Sequence, residues 1–205
     1  MVTLPTGTVT FLFTDIEGST VRWEQHPQTM PTTLARHDMI LRDAIEAHQG
    51  VVFRTVGDAF CAAFAHAPAA VGAALAAQRA LYAENWGAGG ALRVRMAVHT
   101  GAVELRDSDY QGLPLNRVAR LLATGHGGQI LISRAAKELV GDMLPAGVGL
   151  RDMGTHRLRD LTCPPTSGRS ARWVRPSQTS RRPHRCSRPS CMPHPSALAW
   201  CVARA

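Results

Sequence analysis

Three short clusters carry most of the side chains in this sequence that can do chemistry. In the first, Phe13-Thr14-Asp15-Ile16-Glu17-Gly18-Ser19-Thr20, an acidic residue ends an apolar run and a Gly-Ser-Thr turn follows. A carboxylate beside the free N–H groups of a helix start suits a metal-bound phosphate: the carboxylate takes Mg²⁺ and the amides take phosphate oxygens. The same residues also read as an ordinary N-cap after a strand. In the second, Arg54-Thr55-Val56-Gly57-Asp58-Ala59-Phe60, Asp58 stands at a turn, where aspartate is common for conformational reasons alone. In the third, from Asp109 to Arg120, Asn116 and Arg120 are four residues apart and share one helix face, which equally reads as a solvated polar face. Asp15 and Asp58 matter jointly. Brought to one edge, they repel unless a cation lies between them, and two-metal sites for phosphoryl chemistry are built this way.

The elements that must position these residues follow from periodicity. Thr8 to Asp15 is β-rich and nearly continuously apolar, which predicts a central strand buried on both faces. A single helix is predicted after the Glu17–Thr20 turn, with Leu34, Leu41, Ala44, Ile45 and His48 on one stripe and a stop at Gly50. Val51 to Arg54 and Ala59 to Phe64 predict a hairpin turning at 55–58. The alanine-rich stretch from Pro68 to about Glu84 is a helix, and Leu92 to His99 alternates as a half-buried strand. Pro114 opens a helix with Leu115, Val118, Ala119 and Leu122 as its apolar stripe. Gln129 to Ile132 is a short strand, and Ser133 caps a last helix to about Val140. Strand, helix, hairpin, helix, strand is the ferredoxin-like β-α-β-β-α-β pattern, an α+β fold with an antiparallel sheet and flanking helices. In that fold the first strand and the hairpin are neighbours, so Asp15 and Asp58 can meet.

Composition divides the chain. It has 205 residues, is 45% hydrophobic and carries a net charge of +8. That much apolar content excludes a wholly disordered chain. No run of about 18 apolar residues occurs, so no membrane span is predicted, and no secretory signal is read at the N-terminus. Residues 1–162 hold 15 Lys or Arg against 15 Asp or Glu, whereas residues 163–205 hold eight arginines and no acidic residue. The second stretch also has seven of the 13 prolines and four of the five cysteines (Cys163, Cys186, Cys191, Cys201). The expectation is a neutral globular domain over 1–162 and a disordered basic tail over 163–205. A Pro, Arg, Ser and Cys bias without acidic residues is what a GC-rich gene yields in a wrong reading frame, so a frameshift near Cys163 is the hypothesis for its origin. His184, Cys186, Cys191 and His194 have a spacing that fits no common zinc module. Nucleic acid is not an expected partner of the neutral domain. The tail would stick to it only nonspecifically, with Trp173 and Trp200 alone to stack on bases. The single cysteine of the first part, Cys61 in an apolar stretch, reads as a buried thiol of a reducing compartment, which makes a cytoplasmic location the expectation.

Taken together, F-x-F-T-D-I-E-G-S-T, then R-T-x-G-D-A-F, then H-T-G, then D-Y-x-G-x-x-x-N-R-x-A-R resemble the catalytic domain of the class III nucleotidyl cyclases, the adenylate and guanylate cyclases, in its bacterial form. The resemblance covers about residues 6–162. It implies that Asp15 and Asp58, with the Ile16 carbonyl, hold two Mg²⁺ or Mn²⁺ ions, and that the turn Glu17, Gly18, Ser19 and Thr20 cradles a triphosphate. It implies that Asp109 accepts the adenine amino group, which favours ATP; that Asn116 orients the ribose; and that Arg120 stabilises charge on the α-phosphate. Arg159 lies near the family's triphosphate-binding lysine. The resemblance also implies a head-to-tail homodimer with shared sites, Asp15 and Asp58 from one chain and Asp109, Asn116 and Arg120 from the other. Two departures stand out. Arg54 occupies the place of a base-recognising lysine, and the tail lacks the alternation of the family's last strand. A cyclase-like module without turnover is the alternative implied. A diguanylate cyclase is set aside, because Val56-Gly57-Asp58-Ala59-Phe60 does not match its hairpin motif.

Overall fold

The computed structural model describes residues 3–106, 109–145, 148–155, 170–173, 175 and 176. Its centre is β1 (Gly7–Ile16), the strand that the apolar run predicts, with Val9, Phe11, Leu12 and Ile16 buried. β1 pairs antiparallel with β3 (Ala59–Phe64) on one side and with β4 (Val94–Arg106) on the other. β2 (Val51–Val56) lies outside β3, which gives the order β2-β3-β1-β4 of a ferredoxin-like core. Beyond β4 come β6 (Ile130–Ser133), parallel to it, then β9 (Ser170–Trp173) and β8 (Asp152–Thr155). β4 runs on past His99, and β5 (Asp109–Gln111) folds back on its far end. β7 (Val148–Gly149) and β10 (Arg175–Pro176) form a separate small ribbon. Among the described residues no helix is long and apolar enough to cross a membrane.

Two helices, α1 (Ser19–Gln25) and α2 (Met30–Ala47), stand where one is predicted. Pro27 is the reason. A residue before proline is pushed out of the helical region, and His26 has a φ of −133°. α2 buries Ile40, Leu41, Ala44 and Ile45 and covers one face of the sheet, where His37 meets Phe60 edge-on at 5.9 Å. α3 (Ala67–Ala83) packs beside it, its Gly72 directly under the His48 ring. Ser133 accepts a hydrogen bond from the Ala136 N–H and caps α5 (Arg134–Val140), as predicted.

Residues directly opposite each other in a sheet share a face. Phe60 and Phe64, opposite Thr14 and Thr10, lie on the α2 side. The other face carries Phe11, Phe13 and Asp15 of β1, and Arg95, Ala97, His99 and Gly101 of β4. α4 (Leu113–Leu122) covers this second face, seated through Pro114 on Gly101. Its buried residues are Pro114, Val118 and Leu121, with Ala119 exposed, so the helix is rotated from the stripe that the sequence predicts. A Cβ on Gly101 would stand 2.7 Å from Pro114 Cγ. Gly101→Ala is therefore expected to displace α4 and to cost about 1–3 kcal/mol by overpacking. Urea unfolding checks this: an unchanged midpoint would mean that α4 is only loosely seated.

The basic stretch after residue 162 is not wholly without structure. Ser170–Trp173 pairs with β6, Leu131 opposite Trp173 and Ser133 opposite Ala171, in a place where the sequence predicts no strand. Backbone pairing to an open sheet edge needs no apolar alternation in the added segment, which is why periodicity does not announce it. Truncation after residue 162 is expected to reopen the β6 edge and lower the thermal midpoint by a few degrees. An unchanged midpoint would show that β9 adds nothing to the edge. Residues 163–169, 174 and 177–205, with the His184–His194 group and Trp200, lie outside the described residues, and so does Arg159.

Candidate active site

The chemistry-bearing residues fall in two places on the face that α4 partly covers. The first is the C-terminal end of β1. β1 and β4 stay in register to the last residue, Ile16 opposite Val94, so Asp15 and Arg95 face each other. Arg95 donates to one oxygen of Asp15, Oδ2, from Nε at 2.8 Å and from Nη2 at 2.5 Å. The β2–β3 hairpin turns through Gly57 and Asp58, with Gly57 at a φ of 59°, in the left-handed region that favours glycine. That tight turn brings the Asp58 carboxylate to Ile16, whose N–H donates to Asp58 Oδ2 at 2.9 Å. Asp15 and Asp58 thus meet at one strand end, and each keeps a second carboxylate oxygen. Carboxylate and carbonyl oxygens are the hard donors that Mg²⁺ and Mn²⁺ take, so the residues fit such an ion. Among the described residues no group of three His, Cys, Asp or Glu side chains could hold a metal. An ion here would rest on these two carboxylates, the Ile16 carbonyl and oxygens of water or substrate.

The turn that follows is less open than its sequence suggests. The Glu17 N–H is spent on the Arg93 carbonyl at 2.9 Å, because the β1–β4 ladder runs one residue beyond the strand. The Glu17 carboxylate turns toward His126, 3.6 Å from its Nδ1, and lies against Gly127. Gly18 is the N-cap, at a φ of 70°, and no side chain caps α1. Ser19 and Thr20 open that helix, and their first-turn amides have no acceptor within it.

The second place lies toward the outer strand β2. Arg54 of β2 donates from Nη2 to Asp109 Oδ2, while Asp109 Oδ1 accepts from the Tyr110 N–H at 2.9 Å. The neighbouring rings hold this pair in position. Phe53 and Tyr110 meet edge-on at 4.9 Å, and Phe11 touches both, at 5.8 and 5.1 Å. Each such contact contributes roughly 0.5–1.5 kcal/mol beyond area burial. The Tyr110 hydroxyl donates to the Pro5 carbonyl at 2.6 Å, and burial pushes its pKa up to about 12. Cys61, opposite Arg54 in the hairpin, is the buried thiol that the sequence predicts, and burial pushes it up to about 11. Asn116 and Arg120 are exposed on α4, one turn apart, clear of its buried stripe.

Arg95 is the residue that sequence reasoning missed. Its place on the polar side of an alternating strand is legible. Its partner is not, because the partner depends on register with a strand 80 residues away.

Similar proteins point to one family. A family model of the adenylate and guanylate cyclase catalytic domain matches residues 1–155. A Mycobacterium tuberculosis protein described as uncharacterized is 44% identical over 162 residues, which is 78% of this chain and 54% of that one. A receptor-type adenylate cyclase of Trypanosoma brucei brucei is 32% identical over 177 residues, 64% of this chain but 14% of that protein. The chain thus spans about half the length of its mycobacterial relative. Among solved structures, an adenylate cyclase from Trypanosoma brucei in its monomeric state superposes with a TM-score of 0.75 at 26% identity, over 83% of this chain and 90% of that one. The adenylate/guanylate cyclase/hydrolase of Silicibacter pomeroyi superposes with a TM-score of 0.67 at 25% identity, over 81% and 95%. By its matched length and by the order of its motifs, this chain belongs to the adenylate and guanylate cyclase catalytic domain family.

Proposed function

We propose that this domain is an adenylate cyclase of signal transduction, converting ATP to 3′,5′-cyclic AMP and pyrophosphate at sites shared by two copies of the chain packed head to tail. The observation that carries the proposal is the meeting of Asp15 and Asp58 at the end of β1. Asp15, Asp58 and the Ile16 carbonyl hold two Mg²⁺ or Mn²⁺ ions. When bound, these ions lower the pKa of the ribose 3′-hydroxyl and neutralise triphosphate charge. The amides of Gly18, Ser19 and Thr20 bind phosphate oxygens, with the Glu17 amide excluded by its bond to Arg93. Asp109 accepts the adenine amino group, and Arg54 flanks the same base edge. Asn116 orients the ribose so that its 3′-hydroxyl lies in line with the α-phosphorus. Arg120 stabilises the charge that develops on the α-phosphate as pyrophosphate leaves. The exposure of Asn116 and Arg120 supports their service to a partner's Asp15 and Asp58.

A second reading, a cyclase-like module that dimerises or senses nucleotide without turnover, draws support from Arg54 and its hold on Asp109. One assay separates the two: cyclic AMP and cyclic GMP measured from ATP and GTP, with Mg²⁺ and with Mn²⁺. Metal-dependent cyclic AMP is the expected result. Nucleotide binding without product would favour the second reading, and a predominance of cyclic GMP would overturn the choice of ATP.

A further inference from the structure

We infer that Arg95 is the resident counter-ion of Asp15 and competes with divalent metal for its carboxylate, so that this chain takes up free metal weakly. The inference rests on the proposed role of Asp15 and Asp58 as metal ligands and adds a residue that sets their affinity.

Two nitrogens of one guanidinium converge on a single Asp15 oxygen, at 2.8 and 2.5 Å. Charge-assisted contacts of this kind are the strong ones. The pairing is built into the sheet, since Arg95 is the residue directly opposite Asp15. It is also reversible. The Arg95 side chain is 32% exposed and that of Asp15 24%, so the guanidinium can leave for water without crossing a packed interior. Asp58, by contrast, accepts from a neutral backbone group, the Ile16 N–H. Arg95 is thus the cation paired with Asp15.

A divalent cation bound to Asp15 must sit within a few ångströms of that guanidinium. Like charges at such a separation repel strongly in a partly shielded site, and both cations draw on the same carboxylate. Arg95 also orients Asp15, and its loss frees a rotamer. That entropic cost is the smaller effect, because aspartate has few rotamers to lose. The balance predicts that removing Arg95 tightens metal binding.

The test is Mn²⁺ titration of the full chain without nucleotide, following free Mn²⁺ by its paramagnetic resonance, with a thermal midpoint for each variant. Arg95→Gln is expected to bind Mn²⁺ about tenfold more tightly than the unaltered chain. Arg95→Lys, which keeps the charge but loses the fork, is expected to fall between them. Adding Asp15→Asn to Arg95→Gln should cancel the gain. Equal or weaker binding by Arg95→Gln overturns the inference. So does Arg95→Lys binding no more tightly than the unaltered chain, which decides the matter should the glutamine variant not fold. If Asp15→Asn alone leaves Mn²⁺ binding unchanged, the metal site itself is wrongly placed, and the inference falls with it. Mn²⁺ binding that depends on Asp15 but ignores Arg95 sinks the inference and leaves the metal site standing.

Discussion

Replacing Asp15 or Asp58 by alanine is expected to abolish metal-dependent cyclase activity while leaving most of the fold intact. The loss should be about 10³-fold or more in kcat/KM, since each carboxylate anchors several kcal/mol of charge stabilisation in the transition state. The cost in stability differs between the two. Asp15 is partly exposed, and the Arg95 it releases can be hydrated. Asp58 accepts the part-buried Ile16 N–H, so its removal leaves a donor unpaired at about 1 kcal/mol or more. Asp58→Asn, which keeps an acceptor oxygen, is the cleaner variant. Complementation sharpens the result. Asp15→Ala mixed with Arg120→Ala should recover about a quarter of the activity, because half the dimers in an equal mixture are mixed and each has one complete site. Arg120→Ala mixed with Asn116→Ala should stay inactive, since both changes damage the same half of the site. A dead first mixture, with mixed dimers shown to form, would mean that the site is not shared between chains.

The parts of this site that lie on one element were legible, and those that lie between elements were less so. The apolar run of β1 gives away a central strand, and Gly57-Asp58 between two short strands gives away the hairpin. With the strand order of the fold, these two suffice to bring Asp15 beside Asp58. The break between α1 and α2 was also available, in Pro27, but the apolar stripe through Leu34 and Leu41 masks it when periodicity is read alone. The Glu17 amide and the Arg95 counter-ion were not available. Both depend on how far the β1–β4 ladder runs and in what register, and register is a property of two strands rather than of either. The Arg54–Asp109 pair is an intermediate case. Both residues are marked by motif, but their closeness within one chain comes from Phe53 and Tyr110, whose edge-on contact no local pattern announces. β9 stands at the far limit: a strand made by an open edge, with nothing in its own alternation to announce it.

Arg54→Lys is expected to raise turnover of ATP more than turnover of GTP. Asp109 accepts a hydrogen bond from the adenine amino group in the proposed site, whereas guanine presents a carbonyl there and leaves one acceptor facing another. A site built around a hydrogen bond discriminates against the base that cannot make it. In this chain Arg54 ties up Asp109 Oδ2, and Oδ1 already accepts from the Tyr110 N–H, so the carboxylate has little freedom to turn toward a base. A guanidinium fork is planar and broad, and it holds a carboxylate oxygen more firmly than an ammonium does. Lysine keeps the positive charge beside the base, retracts the fork and frees an oxygen for the amino group. The rings of Phe53 and Tyr110 remain as the floor of the pair, so the backbone at both positions should stay in place. Regaining one buried hydrogen bond in the transition state corresponds to about 1–2 kcal/mol, or roughly 5- to 30-fold in the ratio of kcat/KM for ATP to that for GTP. Measuring both nucleotides before and after the change decides it. An unchanged ratio, or a shift toward GTP, would place Arg54 away from the base and leave Asp109 as the only support for ATP.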